Sequence, residues 1–293
     1  MDYINNNYIR SSGTGTSWSI HIDKPTRPIK SYYEETVSAA TIIWEQKTSP
    51  LHLCYSGGLD SEYVLNVFLT LGMNIKPVIM RTQYNHPEIK YAFKLCEEKN
   101  IKPIIIDLDY DKFVESGKFL EIATETKCAA YQYIANMWLT SQIDGTVITG
   151  DSDPHLFLNT DKKWYIDEWE PTHRQFDYFH KHNIEGTPFF ISYTAEQFLA
   201  FITDPTMQRL ANNEIPGKTG SYSSKVHVYN NQDKFVLEQR TKLTGYELVE
   251  SSPIFNHPDM QLVNSWKETF WGSTNFEYYS LVDRLRNDNT RNT

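Results

Sequence analysis

Residues Ser56-Gly57-Gly58-Leu59-Asp60-Ser61 bring hydroxyls, glycines and a carboxylate into one short stretch. Just before it, Leu51, Leu53 and Tyr55 alternate with His52 and Cys54, the pattern of a short strand buried on both faces. Just after it, Leu59, Tyr63, Val64, Val67, Phe68 and Leu71 recur at helical spacing. The polar residues therefore sit at a strand-to-helix turn. Such a turn aims backbone N–H groups and the positive end of a helix dipole at one point, which suits an anion and above all a phosphate. Glycine is needed because a Cβ would block the sharp turn and hold a phosphate away from the backbone. Asp60 would repel a bare phosphate, so its place here points to a bridging Mg²⁺ or to an orienting role. A plain capped turn needs one glycine and one cap. This one carries more, directly after a buried strand, and that context favours a functional reading.

The elements around the turn follow from periodicity. A polar arm, 1–30, is expected to form a hairpin from 17–22 and the stretch around Tyr8-Ile9, across a loop at 11–16. Helices are predicted at 31–46, 59–71, 86–99 and 127–142, and strands at 51–55, 75–80, 103–108 and 146–149. Strands alternating with helices give an α/β fold: a doubly wound parallel sheet of about five strands, covered on both faces. Ligands of such sheets bind beyond the carboxyl ends of the strands, where strand order reverses. Three loops lie at such ends: the turn itself, Arg81-Thr82-Gln83, and Gly150-Asp151-Ser152-Asp153. The chain divides into the arm at 1–30, a ligand-binding α/β domain at 31–160 and a mostly helical accessory or substrate region at 161–293. Within the last, 194–203 reads as an amphipathic helix with a Thr194/Gln197 capping box. The Gly-, Ser- and Asn-rich stretch 212–224 reads as a long loop.

The turn resembles the pyrophosphate loop of the ATP pyrophosphatases, also called adenine nucleotide alpha-hydrolase-like or PP-loop proteins, of the HUP-like fold. The resemblance spans about 51–159. It implies that Ser56, Gly57, Gly58 and Ser61 hold the β,γ-pyrophosphate of ATP, with Asp60 helping to place Mg²⁺. It implies attack on the α-phosphorus by a substrate carboxylate or carbonyl oxygen, with pyrophosphate leaving, and then capture of the adenylate by a nitrogen or sulfur nucleophile. Gly150 to Phe157 is similar to the Gly-Glu-Gly-x-Asp-Glu-Leu-Phe stretch of the asparagine synthetase branch. Gly150, Asp151, Leu156 and Phe157 match it. Pro154 stands where that branch has its metal-binding Asp, which leaves Asp153, one position early, as the second candidate Mg²⁺ ligand. Ile79, Met80 and Arg81 are the expected wall of an adenine pocket. Lys218 and Lys225 are the candidates for a late lysine that reaches the α-phosphate, set against the simpler reading of solvated lysines.

The resemblance implies an AMP-forming, asparagine synthetase-like ligase that takes a small-molecule carboxylate or carbonyl. Asp2, not a cysteine, follows Met1, and no glutaminase domain is read, so nitrogen is expected from ammonia, an amine or a separate glutaminase. One rival is an ATP-dependent thiolation enzyme acting on a nucleic acid or nucleotide. It requires reactive cysteines and a basic face, whereas the formal charge is -9 and there is no CxxC pair. Cys128, at the start of the helix expected over 127–142, could carry a lowered pKa, but a small buried residue is the simpler role. Another rival is a non-catalytic ATP-binding protein. A sulfonucleotide reductase would need a cysteine after Cys128, and there is none. Gly217-Lys218-Thr219 is not a Walker A motif, since Asn212 stands where that motif needs glycine. His173, His180 and His182 lack metal-ligand spacing. No apolar run has membrane-spanning length and no signal peptide is read, so a cytoplasmic, reduced protein is expected.

Overall fold

The computed structural model describes residues 9–14, 17–151, 153–215, 222–230, 233–238, 240, 244–270 and 273–286. The N-terminal arm is an antiparallel hairpin of β1 (Ile9–Thr14) and β2 (Ser17–Ile22), pairing Ile9 with Ile22. β1 runs on into the expected loop at 11–16. Helix α1 (Tyr32–Gln46) starts on a capping box: Ser31 Oγ accepts from the Glu34 N–H and the Glu34 carboxylate reaches back. Then come β3 (Leu51–Cys54), α2 (Leu59–Thr70), β4 (Ile75–Arg81), α3 (His86–Glu98, with Pro87 in its first turn) and β5 (Ile104–Asp107). Two short helices, α4 (Tyr110–Glu115) and α5 (Lys118–Thr126), fill a stretch to which periodicity assigned nothing. Lys127 then adopts a left-handed conformation, φ 57°, which ends α5. The helix predicted from 127 therefore starts later, as α6 (Tyr131–Thr140), and Cys128 lies in the link before it.

β6 (Thr146–Ile148) leads to β7 (His155–Leu158), β8 (Trp164–Trp169), α7 (Glu170–Lys181) and β9 (Gly186–Thr187). Helices α8 (Ala195–Ile202), α9 (Pro205–Ala211), α10 (Tyr222–Asn230), α11 (Tyr246–Glu250), α12 (Pro258–Ser265) and α13 (Lys267–Phe270) follow. β10 (Ser273–Glu277) and α14 (Tyr278–Arg286) close the described chain. Two readings are corrected. Helix α8 is capped by Thr194 as expected, but all its residues are buried, its polar side included, so it turns no face to solvent. The stretch 212–224 is not one loop, because α10 begins at Tyr222.

The parallel sheet has the order β5-β4-β3-β6-β9. The chain steps outward from β3 through β4 to β5, then returns to add β6 on the other side of β3 and β9 beyond it. Strand order thus reverses between β3 and β6, the position at which open α/β sheets bind ligands. The sheet takes its last strand from beyond residue 160. The later chain also contributes an antiparallel sheet, β10-β8-β7, among its helices.

Alternation along each strand divides the side chains between two cores. Leu51, Leu53, Ile79 and Ile148 pack with α1, α2, α3 and α8. Val78, Met80 and Val147 pack with α4 to α7 and α12. At the β5 edge, Ile104 and Ile105 are 40% and 41% exposed, so that strand is not covered as the centre is. At the opposite edge Gly186 has φ 131° and its backbone presses on Val147. A Cβ there would overlap the Val147 carbonyl. Gly186→Ala is expected to cost about 3 kcal/mol and to lower the melting temperature by several degrees. Gly72→Ala, at φ 68° in open space, is expected to cost less. Equal melting temperatures for the two would contradict the β6–β9 packing.

Candidate functional site

The turn after β3 has the geometry of an anion cradle. Gly57 has φ 89°, and a Cβ on it would lie 2.6 Å from the Glu88 carbonyl oxygen and 2.9 Å from the Ala92 nitrogen. Glycine here lets the loop lie directly against α3. Gly58 is the N-cap of α2 and supplies no side-chain cap. Helix ends leave the first N–H groups without intrahelical acceptors, so this end faces outward as a set of donors. Ser56 Oγ accepts from the Gly58 N–H at 3.1 Å, Ser61 Oγ donates to the Gly58 carbonyl at 3.1 Å, and the two hydroxyls lie 3.3 Å apart.

The loop after β6 forms the facing wall. A Cβ on Gly150 would lie 2.9 Å from the Ser61 nitrogen, so that glycine lets the wall press on the first turn of α2. Asp60 and Asp153 are thereby brought onto one cation. Lys225 Nζ lies 3.0 Å from Asp60 and 2.8 Å from Asp153. The Tyr229 hydroxyl, one turn along α10, donates to Asp60 at 2.5 Å. Burial opposes the charge on Lys225, but Asp153 and Asp60 outweigh it and hold the ammonium above the ordinary lysine range. Burial, with Asp60 next to it, keeps the Tyr229 phenol protonated well past its usual range. Asp151 is pushed up to about 6, chiefly by burial and further by Asp60 and Asp153, while hydrogen bonds from Gln175 and Thr149 act the other way.

Ser56, Gly58, Asp60, Ser61, Met80, Gly150, Asp151, Asp153 and Lys225 all line one mouth. Gly57 supports it from behind. Ile79 does not reach it, since its side chain is fully buried in the α1–α2 core. Arg81 does not reach it either. Parallel register sets Arg81 beside Asp107, and its guanidinium forks onto that carboxylate at the exposed sheet edge. Lys218 lies outside the described residues. The sequence does not mark the α6 wall, where Gln132, Tyr133 and Asn136 face the mouth, or Asn85 beside it. The Asn85 side chain accepts from the Thr82 N–H at 2.9 Å and donates to the Met80 carbonyl at 2.8 Å, which fixes the end of β4. Nothing in the local spacing marks Tyr229 or Arg240, which come from far along the chain.

Two carboxylates sharing one cation are the hard-oxygen donors that suit Mg²⁺, an ion that takes one or two carboxylates and keeps its remaining waters or phosphates. Among the described residues no group of three or more His, Cys, Asp or Glu forms a metal cage. His173 is buried against Glu168 at 3.2 Å and His182 pairs with Glu125 at 2.7 Å. None of the three cysteines is in a disulfide. Cys54 borders the mouth, where burial and then Asp151 push its thiol far up. Among the described residues no helix is long and apolar enough to cross a membrane.

No protein-family model matches the sequence, and neither does any curated protein. Among solved structures, a predicted subunit of a tRNA methyltransferase from Methanocaldococcus jannaschii aligns at 18% identity with a TM-score of 0.32, covering 67% of this chain and 96% of that one. NMN synthetase from Francisella tularensis aligns at 15% identity with a TM-score of 0.34, covering 78% of this chain and 94% of that one. At these values the likenesses bear on neither ligand nor reaction.

The raised Asp151 carboxyl sets a pH dependence. Its folded pKa of about 6 lies above the unfolded value near 3.9, so the folded state binds more protons between them. Stability from this group is full below about pH 4, falls as pH rises to about 6, and stays lower above that. In metal-free buffer Asp151→Asn is expected to be more stable than wild type at pH 7.5, by roughly 3 kcal/mol, and no more stable at pH 4. A gain of the same size at both pH values, measured by urea denaturation, would contradict the burial of this carboxyl.

Proposed function

We propose that the mouth binds ATP and that the protein is an AMP-forming enzyme. In this reading it adenylates a carboxylate or carbonyl oxygen of a small molecule and passes the activated group to ammonia or an amine. The observation that carries it is the convergence of Asp60, Asp153 and Lys225 at the open N-terminus of α2, beside the switch point of the sheet.

The first N–H groups of α2 and the Ser56 and Ser61 hydroxyls face the β,γ-phosphates, where they stabilise the departing pyrophosphate. Asp60 and Asp153 would hold Mg²⁺, which when bound neutralises phosphate charge. Lys225, released from both carboxylates, would stay within the same mouth and supply positive charge toward the α-phosphate. The acceptor oxygen attacks the α-phosphorus, the bond to the β-phosphate oxygen breaks, and pyrophosphate leaves with that electron pair. The nitrogen then attacks the adenylated carbon, AMP leaves, and the nitrogen gives up a proton. Asp151, with a carboxyl near neutrality, faces the mouth and is suited to take that proton.

Thiolation is less favoured. Cys96 and Cys128 are buried, and burial pushes the Cys96 thiol up to about 11. Cys54 is likewise held as a thiol, whereas sulfur transfer needs a thiolate.

The test is to incubate the protein with ATP, Mg²⁺, ammonia and candidate acids or amides, and to separate the nucleotides formed. AMP and pyrophosphate are expected, and ADP with phosphate would contradict the mechanism. Asp60→Asn is expected to lower AMP formation at least about a hundredfold. Lys225→Met is expected to keep ATP binding and lose turnover to a similar degree. Full turnover in Lys225→Met would return this lysine to a structural role.

A further inference from the structure

Arg240 is a nearly buried cation, 8% exposed, that the proposed chemistry does not use. It lies on the side of the Ser56–Ser61 turn away from the mouth. One guanidinium N–H donates to the Gly57 carbonyl at 2.9 Å, and another to Glu62 Oε2 at 2.6 Å. The guanidinium also lies over the Tyr91 ring, 4.7 Å from its centroid. Gly57 belongs to the turn, Glu62 to the first turns of α2, and Tyr91 to α3. A single planar group thus ties together the three pieces of chain that shape the cradle. Lysine could not do this, since it lacks both the fork and the flat face.

The Gly57 carbonyl and the Gly58 N–H are the two ends of one peptide unit, and they point in opposite directions. Glycine on both sides gives that unit little steric preference between its two orientations. If it turned over, a carbonyl oxygen would replace an N–H on the cradle side, and an acceptor facing a phosphate repels it. Arg240 holds the carbonyl outward. The N–H is thereby kept toward Ser56 Oγ, which accepts from it at 3.1 Å.

We propose that Arg240 is a positioning residue that fixes the Gly57–Gly58 peptide so that the turn presents donors to the phosphate end of its ligand. The proposal rests on the nucleotide reading of the mouth. It concerns only the phosphates beyond the α-position, so it separates ATP and inorganic pyrophosphate from AMP.

Equilibrium binding of ATP, pyrophosphate and AMP to wild type, Arg240→Met and Arg240→Lys tests it. In Arg240→Met the dissociation constants for ATP and pyrophosphate are expected to rise roughly tenfold or more, the scale of one charge-assisted hydrogen bond. AMP is expected to stay within about twofold, a split that general loosening of the fold does not produce. Arg240→Lys keeps a charge beside Glu62 but not the fork, so it is expected to lose ATP affinity while melting near wild type; it carries the test if Arg240→Met does not fold. Methylguanidine added to Arg240→Met is expected to restore part of the ATP affinity and to leave AMP binding unchanged. Parallel loss of ATP and AMP binding, or unchanged ATP binding in both variants, overturns the proposal and leaves the nucleotide reading intact. A wild type that binds ATP no better than AMP and ignores pyrophosphate overturns both.

Discussion

The carboxylates of Asp60 and Asp153 converge at the mouth, where a cation between them relieves their repulsion. Two like charges at such close range repel by a few kcal/mol at the effective dielectric near a protein surface. Lys225 is that cation, and it draws together the start of α2, the loop after β6 and helix α10. Those stretches are distant in sequence and meet on one ammonium. The same constraint makes the place suitable for a divalent ion, since whatever relieves the repulsion can take the position.

Packing holds these pieces at the required spacing. Tyr63 of α2 and Tyr229 of α10 stack at 4.3 Å with their planes 12° apart, and Tyr32 of α1 lies beside both. The Tyr63 hydroxyl and the Gln197 amide both donate to Thr36 Oγ1, so the stack is tied to α1 and α8 by satisfied polar groups. A stacked pair contributes about 1 kcal/mol beyond the area it buries, and here it also sets the distance between α2 and Lys225. Gly57 and Gly150 work from the other sides by removing the side chains that would keep α3 and the β6 loop away. The donor array at α2 is thus enclosed by neighbours fixed on rigid elements.

The sheet, the turn and their order were legible because the signals are local. Leu51 to Ser61 carries strand alternation, glycines and helical spacing within a dozen residues, and each reports on its immediate backbone. Arg81 misled because its position after a strand was visible, while the parallel register that sets it beside Asp107 was not. β9 is two residues long and leaves no periodic trace. Helix α10 was hidden by a composition rich in serine and asparagine, and its first residues were absorbed into the long loop expected over 212–224. Lys225 could only be a candidate until the chain brought it 165 positions back onto Asp60. Arg240, 183 positions from Gly57, carried no signal at all, because a cation that touches a backbone carbonyl leaves no spacing pattern.

In the proposed function the open end of α2 takes the β,γ-phosphates while Asp60 and Asp153 exchange Lys225 for a metal. A crystal structure with the non-cleavable analogue α,β-methylene-ATP and Mn²⁺ reads both parts at once, since Mn²⁺ is located by its anomalous signal. Mn²⁺ is expected between Asp60 and Asp153, the terminal phosphates against the Leu59 to Ser61 N–H groups, and the Lys225 ammonium moved toward the α-phosphate. Phosphates bound away from α2, or Mn²⁺ elsewhere with Lys225 still bridging the two carboxylates, would contradict it.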